Sequence, residues 1–134
     1  MASIAGHVGG PYIAPYCATK HAVVGFTRAL RAELALQTSC VQLVLVSPGF
    51  VDSQMISLGK KFGFPEWLKW MLSTPEKVSA EVLAGLERRK TEIYPTLNGR
   101  LMLRLQKTFP SAVTPSSRLL LTRSFKDLLL NRYS

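Results

Sequence analysis

The pattern of apolar and polar positions divides this chain into a few elements. After a run of Gly and small residues over 2–14, a helical repeat covers 16–36, and Pro15 suits its first turn. Positions 41–46 form a short Val- and Leu-rich run, which predicts a strand buried on both faces. Thr74, Pro75 and Glu76 predict the start of a second helix that continues to 88–90, since basic residues favour a helix carboxyl end. Residues 91–95 are a candidate second strand.

Two details of these elements bear on packing and on a site. The first helix carries small residues at one helical spacing, and these predict a close approach to a sheet or to another helix: Ala18, Ala22, Gly25 and Ala29. The strand over 41–46 ends at Ser47, Pro48 and Gly49. Ligands of open α/β sheets bind just beyond the carboxyl ends of strands, so the loop 48–55 is expected to contact one.

Composition narrows the class of protein. The 134 residues are 47% hydrophobic and 19% charged, which is typical of one globular domain. No apolar run approaches the roughly 20 residues that cross a bilayer. Cys17 and Cys40 have neither metal-ligand nor disulfide-framework spacing, so we predict no metal site and a cytoplasmic, reducing setting. The net charge of +9 is interpreted first as a basic solvated surface. It also suits a polyanion, an anionic membrane surface or a phosphorylated cofactor, and no nucleic-acid motif accompanies it.

One set of side chains suggests proton-transfer chemistry. Tyr16 and Lys20 are four residues apart on a predicted helix and therefore project from one face. A nearby ammonium favours the phenolate and brings a tyrosine pKa, ordinarily near 10, toward the working range of a base. A serine hydroxyl such as that of Ser3 can stabilise charge that develops on a substrate oxygen. The three residues are candidate catalytic groups for carbonyl and alcohol redox chemistry.

The same residues lie within a longer pattern that resembles the second half of a short-chain dehydrogenase/reductase. The matching segments are Ser3-Ile4-Ala5-Gly6, Tyr16-Cys17-Ala18-Thr19-Lys20, Gly25-Phe26, Leu30-Arg31-Ala32-Glu33-Leu34 and Ser47-Pro48-Gly49-Phe50-Val51-Asp52-Ser53. The resemblance implies an α/β fold, the carboxyl-terminal part of a Rossmann-type doubly wound parallel sheet. It also implies NAD or NADP as cofactor and a carbonyl or alcohol substrate.

By the same resemblance, Tyr16 is the general acid/base, Lys20 assists it and binds the nicotinamide ribose, and Ser3 orients the substrate oxygen. The cofactor is expected to contact Tyr16, Lys20, Pro48, Gly49, Val51 and Ser53. The Gly-rich turn that binds the cofactor pyrophosphate in the family has no counterpart here, so we expect a truncated chain that is inactive by itself. We also expect the strand over 41–46 to find at most one neighbouring strand.

Residues 1–95 are interpreted as the catalytic half of the domain, 54–73 as its substrate lid, and 96–134 as a basic, leucine-rich extension. An apolar lid predicts a small hydrophobic substrate, and its aromatic residues are Phe62, Phe64, Trp67 and Trp70. His7 and His21 are candidates for a pocket lining or for ordinary packing. A second hypothesis is a non-catalytic remnant that binds a full-length relative through the 16–36 helix, or a membrane surface. The same helix is a candidate contact for a homo- or hetero-oligomer. Leu101, Leu103 and Leu105 alternate with basic residues; this favours packing against the rest of the enzyme or a partner subunit, with peripheral membrane attachment as the alternative.

Overall fold

The computed structural model describes residues 1–10, 13–37, 40–52 and 71–109. A single-turn 3₁₀ helix, Ile4–Gly6, precedes helix α1, Ala14–Leu36. Strand β1, Leu45–Val46, is followed by helix α2, Pro75–Glu87, strand β2, Glu92–Ile93, and helix α3, Leu97–Thr108. The strands pair in parallel, with Leu45 opposite Glu92 and Val46 opposite Ile93. Two parallel strands joined through a helix confirm the predicted α/β class.

The second edge of β1 is covered by the first residues of the chain. The Ala2 N–H donates to the Val46 carbonyl, and the Ile4 N–H donates to the Pro48 carbonyl, each at 2.8 Å. These bonds follow the spacing of a parallel pair, but Pro48 has no N–H to return a bond to Ala2. Among the described residues, β1 therefore has one neighbouring strand, as expected, and residues 2–4 form a one-sided ladder along its other edge.

Helix α1 packs on the sheet through a different face from the one its small residues predict. Its buried side chains are Cys17 and Val24, and Val24 forms a core cluster with Ala2 and Leu45, against which Val23 packs. The small residues are all exposed, namely Ala18, Ala22, Gly25 and Ala29. Their predicted contact with the sheet is wrong. Larger apolar groups remove more surface from water, so the face with Val24 turns inward.

Helix α2 begins and ends with recognisable capping. Thr74 Oγ1 accepts a hydrogen bond from the Lys77 N–H, and Pro75 occupies the first turn, as predicted. The helix ends at Glu87, before the basic residues that were expected to prolong it. Arg89 adopts φ 50°, and the Arg89 and Lys90 N–H groups return to the Leu86 and Gly85 carbonyls. This is the Schellman arrangement that closes many helices, here with an arginine where glycine is usual.

The two strands are shorter than the runs that predict them. Val41 is 62% exposed, whereas Leu45 and Val46 are buried on opposite faces. At its ends, the Leu45 N–H donates to the Thr91 carbonyl and the Ser47 N–H donates to the Ile93 carbonyl. The partner strand starts directly after the turn that closes α2, and Pro48 ends β1 on the other side. The sheet is thus short at both ends for identifiable reasons.

Candidate functional site

Tyr16 and Lys20 lie together in the first turns of α1. Both are half-buried, and Lys20 Nζ is 5.5 Å from the centroid of the Tyr16 ring. The helix starts at Ala14 with Pro15 in its first turn, so Tyr16 and Lys20 both lie within it. Because they are four residues apart, their side chains lie next to each other on one face. A cation over a tyrosine ring is also a favourable contact in its own right.

Ser3 is held beside the loop that follows β1. Its Oγ accepts a hydrogen bond from the Ala5 N–H at 3.3 Å and lies 3.5 Å from the Pro48 carbonyl oxygen, to which it can donate. The segment after Ser3 packs directly on α1. A Cβ placed on Gly6 would come within 2.6 Å of the Lys20 carbonyl oxygen, so only glycine permits this approach. The fold therefore brings the Ser3 segment against both the Pro48 loop and the helix of Tyr16 and Lys20.

The loop at Gly49 is fixed by the start of α3. Thr96 Oγ1 accepts hydrogen bonds from the Gly49 N–H at 2.9 Å and from the Gly99 N–H at 3.2 Å. Asn98 Oδ1 accepts from the Phe50 N–H at 3.3 Å. A Cβ on Gly49 would lie 2.1 Å from Asn98 Oδ1, which leaves no space for any other residue.

These two side chains, Thr96 and Asn98, were missed by sequence reasoning. Both are almost completely buried, at 1% and 6% exposed. A local signal was available, because a threonine directly before a Leu- and Arg-rich helical run is a typical N-cap. That the cap also binds the Gly49 loop follows only from the tertiary contact. Val51, another predicted cofactor contact, pairs with Ser73 in an isolated parallel bridge.

His7 joins the Ser3 segment to the residue before Pro48. Its Nε2 is hydrogen-bonded to Ser47 Oγ at 3.0 Å, and Ser47 is completely buried. The ring also meets Tyr94 edge-on, with centroids 5.5 Å apart. Burial, followed by the positive charge of Arg28, lowers the pKa of His7 from its usual 6.5 and favours the neutral ring. His7 and His21 both line an open cavity of about 460 Å³ between α1, β2 and α3.

A charged network ties α1 to β2 next to this cavity. Arg28 donates to both oxygens of Glu92, at 2.8 and 3.1 Å, and Tyr94 donates its hydroxyl to Glu92 Oε2 at 2.6 Å. The Arg28 hydrogen bonds lower the pKa of Glu92 to about 2. Burial, reinforced by the hydrogen bond to Glu92, raises the pKa of Tyr94 to about 12. Arg31 donates to the Leu43 and Thr91 carbonyls, so a second arginine of α1 binds the backbone next to both strands.

Several predicted site residues lie outside the described residues, namely Ser53, Phe62, Phe64, Trp67 and Trp70. Within the described ranges, His, Cys, Asp and Glu side chains form no group of three that could hold a metal ion. In the same ranges, no helix is long and apolar enough to cross a membrane.

Comparison with known proteins gives a consistent set of matches. A family model described as short chain dehydrogenase matches residues 1–61. The chain is 33% identical over 116 residues to 17-beta-hydroxysteroid dehydrogenase 13 of Homo sapiens, a match that covers 82% of this chain and 35% of that protein. It is 31% identical over 114 residues to hydroxysteroid 11-beta-dehydrogenase 1-like protein A of Xenopus laevis, covering 84% and 38%.

A third relative is estradiol 17-beta-dehydrogenase 11 of Rattus norvegicus, 30% identical over 116 residues, with 82% of this chain and 35% of that protein covered. The chain thus spans a little over one third of the length of the curated relatives that it matches.

Proposed function

This chain belongs to the short-chain dehydrogenase/reductase family, and from that premise we propose that it supplies the proton-transfer part of an NAD(P)-dependent oxidoreductase that interconverts an alcohol and a carbonyl. The observation that carries the proposal is the placement of Tyr16 and Lys20 on one half-buried turn of α1, with the Ser3 segment docked on that helix through Gly6. The Gly49 loop completes the surroundings, since Thr96 and Asn98 hold it in place.

In the proposed reaction, Tyr16 exchanges a proton with the substrate oxygen. During oxidation the phenolic oxygen takes the hydroxyl proton of the alcohol, and during reduction it returns a proton to the carbonyl oxygen. The Ser3 hydroxyl donates a hydrogen bond to the same oxygen and stabilises charge that develops there. Lys20 places an ammonium beside the tyrosine ring.

The residues present fit the nicotinamide end of the cofactor. Lys20 offers N–H donors and Tyr16 a hydroxyl for the ribose, and the Pro48–Gly49 backbone lies beside Ser3 at the end of β1. A bound nicotinamide supplies the acceptor or donor of hydride. In our proposal Val51 and Ser53 belong to the same contact surface, and the choice between NAD and NADP is left to experiment.

We further propose that the substrate is a small hydrophobic alcohol or ketone of the hydroxysteroid type. Support comes from the names of the relatives, two of which are hydroxysteroid dehydrogenases and one an estradiol dehydrogenase. The aromatic residues of the interpreted lid, Phe62, Phe64, Trp67 and Trp70, are of the type that lines an apolar pocket. A reducing cytoplasmic location is proposed with support from two free cysteines, Cys17 and Cys40.

The test is cofactor reduction by the purified chain with a 17β-hydroxysteroid and each of NAD⁺ and NADP⁺. Turnover would overturn the expectation that this chain is inactive by itself, and the role of Tyr16 is then tested in the active chain. We expect Tyr16→Phe to lower the rate by a factor of about 10²–10⁴, because the proton acceptor is removed while the ring is kept. Tyr133→Phe, the same chemical change at a tyrosine to which the family pattern gives no role, is the control. Equal rates for Tyr16→Phe and Tyr133→Phe would disprove the assigned role.

A second candidate function is non-catalytic association with a full-length relative through α1. The exposed small-residue face favours it, since Gly25 and its neighbours leave space for a partner helix and Phe26 beside them is 68% exposed. A titration with NADH and NADPH, in which binding is measured by cofactor fluorescence, discriminates between the enzyme and the non-catalytic partner. Saturable binding supports the enzyme, whereas no binding together with co-purification of a full-length relative supports the association.

A further inference from the structure

Helix α3 exposes a strip of leucines that the fold does not cover. Leu97, Leu101 and Leu105 are 76%, 51% and 44% exposed. They are spaced four apart, so they lie one above another on the same face of the helix. Leu103, which the sequence places in the same set, is half-buried on another face. We refer to Leu97, Leu101 and Leu105 as the leucine strip.

Two arginines border this strip. Arg100 and Arg104 are both exposed, and each lies three positions from a member of the strip, which makes them its neighbours on the helix surface. Arg100 forms a 3.6 Å pair with Glu81, but both side chains are about half exposed, so water screens the pair. Among the described residues, Arg104 forms no ion pair.

The opposite face of α3 fixes its orientation. Asn98 and Gly99 are buried against the Gly49 loop, with Thr96 capping the helix below them. The helix therefore cannot rotate to bury its leucines without breaking these hydrogen bonds. The strip and its arginines face outward as a consequence of the same contacts that hold the candidate site.

The size and charge of this surface decide what fits it. Even if completely covered, three leucine side chains contribute roughly 300 Å², which is well below the roughly 800 Å² per partner of a stable protein interface. A lipid surface needs only shallow insertion of a few apolar side chains together with basic residues that meet anionic headgroups. The whole chain carries a net charge of +9, which attracts it to such a surface from a distance.

We propose that α3 is a peripheral membrane-binding helix that lays the leucine strip into an anionic lipid surface, with Arg100 and Arg104 at the headgroups. This surface is independent of the proposed oxidoreductase chemistry, and its test uses no substrate or cofactor.

The test measures partitioning of the full chain onto vesicles by co-sedimentation. With phosphatidylcholine vesicles that contain phosphatidylserine, we expect binding that weakens as salt is raised; with phosphatidylcholine alone, we expect binding to be much weaker. Removing two arginines near an anionic surface forfeits about 1 kcal/mol each, so Arg100→Gln with Arg104→Gln should weaken binding roughly 30-fold. Leu101→Ser with Leu105→Ser should weaken binding by a similar factor. About half of each leucine is exposed to water in the free chain, and lipid would bury that half.

Matched control pairs exist on α2 and the turn after it. Leu83 and Leu86 are 61% and 44% exposed, close to the values for Leu101 and Leu105. Leu83→Ser with Leu86→Ser, and Arg88→Gln with Lys90→Gln, make the same chemical changes at residues outside α3. We expect each control pair to change binding less than threefold.

Three results would overturn the proposal. The first is equal binding of the wild-type chain to both vesicle types, and this comparison needs no variant. The second is a loss of binding in the control pairs equal to that in the α3 variants, which would assign the effect to the overall charge or hydrophobicity of the chain. The third is a change of oligomeric state in Leu101→Ser with Leu105→Ser, seen by light scattering, while vesicle binding is unchanged; this would make a second copy of the chain the occupant.

Discussion

Replacing Glu92 with glutamine tests whether the network between α1 and β2 stabilises the fold. Glu92 accepts two hydrogen bonds from Arg28 and one from Tyr94, and its side chain is only 24% exposed. Glutamine keeps the size and one carbonyl oxygen. It removes the charge, and it leaves Arg28 partly buried with a neutral partner.

The size of the effect follows from the pKa of Glu92. A value of about 2 against the usual 4.5 corresponds to at most about 3 kcal/mol of preference for the ionised form in the folded state. Arg28 is 48% exposed, so solvent screens part of this interaction. After that discount we expect Glu92→Gln to lower the free energy of unfolding by about 1–2 kcal/mol at pH 7.

The dependence on pH has a definite sign. Because the pKa of Glu92 is lower in the folded state than in the unfolded state, its contribution is complete above pH 4.5. It is lost as the pH falls from 4.5 toward 2. The wild-type chain and Glu92→Gln should therefore differ in urea unfolding at pH 7 and converge near pH 2. Spectrophotometric titration gives a second readout: the pKa of Tyr94, about 12, should decrease in the variant but remain above 10, since burial is its main cause.

Glu81→Gln is the matched control, because the Glu81–Arg100 pair is exposed and 3.6 Å long. We expect this control to cost no more than about 0.5 kcal/mol. The reasoning fails if Glu92→Gln costs no more than Glu81→Gln at pH 7, or if the stability difference persists unchanged at pH 2.

Three further predictions concern single positions and are checked by urea unfolding. Gly85→Ala should destabilise the fold by about 1 kcal/mol net, because the new Cβ would lie 2.6 Å from Ile93 Cδ1. Gly25→Ala, whose Cβ would have nothing within 4 Å, should stabilise it by about 0.5–1 kcal/mol. Equal effects of the two variants would contradict the packing described for Gly85. Thr96→Val should lower the free energy of unfolding by about 1–3 kcal/mol, because the Gly49 and Gly99 N–H groups lose their acceptor. Thr96→Ser keeps the hydroxyl and should lose much less stability. Arg89→Gly should stabilise by up to about 1 kcal/mol by relieving the left-handed backbone; a loss would show that the arginine side chain matters more.

Helices α1 and α2 were predictable because their signals are local. Thr74 and Pro75 mark the start of α2, and their backbone preferences act within one turn, so the prediction did not depend on any distant residue. Pro15 and the 3.6-residue period did the same for α1. The Tyr16 and Lys20 pairing belongs to this class too, since a four-residue spacing on a helix fixes side-by-side placement.

The buried face of α1 was not predictable, because two faces of this helix were both suitable for close packing. Small residues permit close approach, but Val24 removes more apolar surface from water when it meets Ala2 and Leu45. The choice depends on which partner surface is present, and that surface is assembled from residues far apart in the chain. The Arg28–Glu92 pair could not be predicted for the same reason, since the two residues are 64 positions apart.

By itself, the sequence determined the α/β class, the starts of α1 and α2, the family, and the candidate set of Ser3, Tyr16 and Lys20. These depend on spacing and on backbone preference within a few residues. Only the tertiary structure decided that residues 2–4 lie along β1 and that Thr96 and Asn98 hold the Gly49 loop. It alone decided that the leucine strip of α3 faces outward. Each of these outcomes depends on hydrogen bonds between residues more than forty positions apart, and no local pattern specifies the partner.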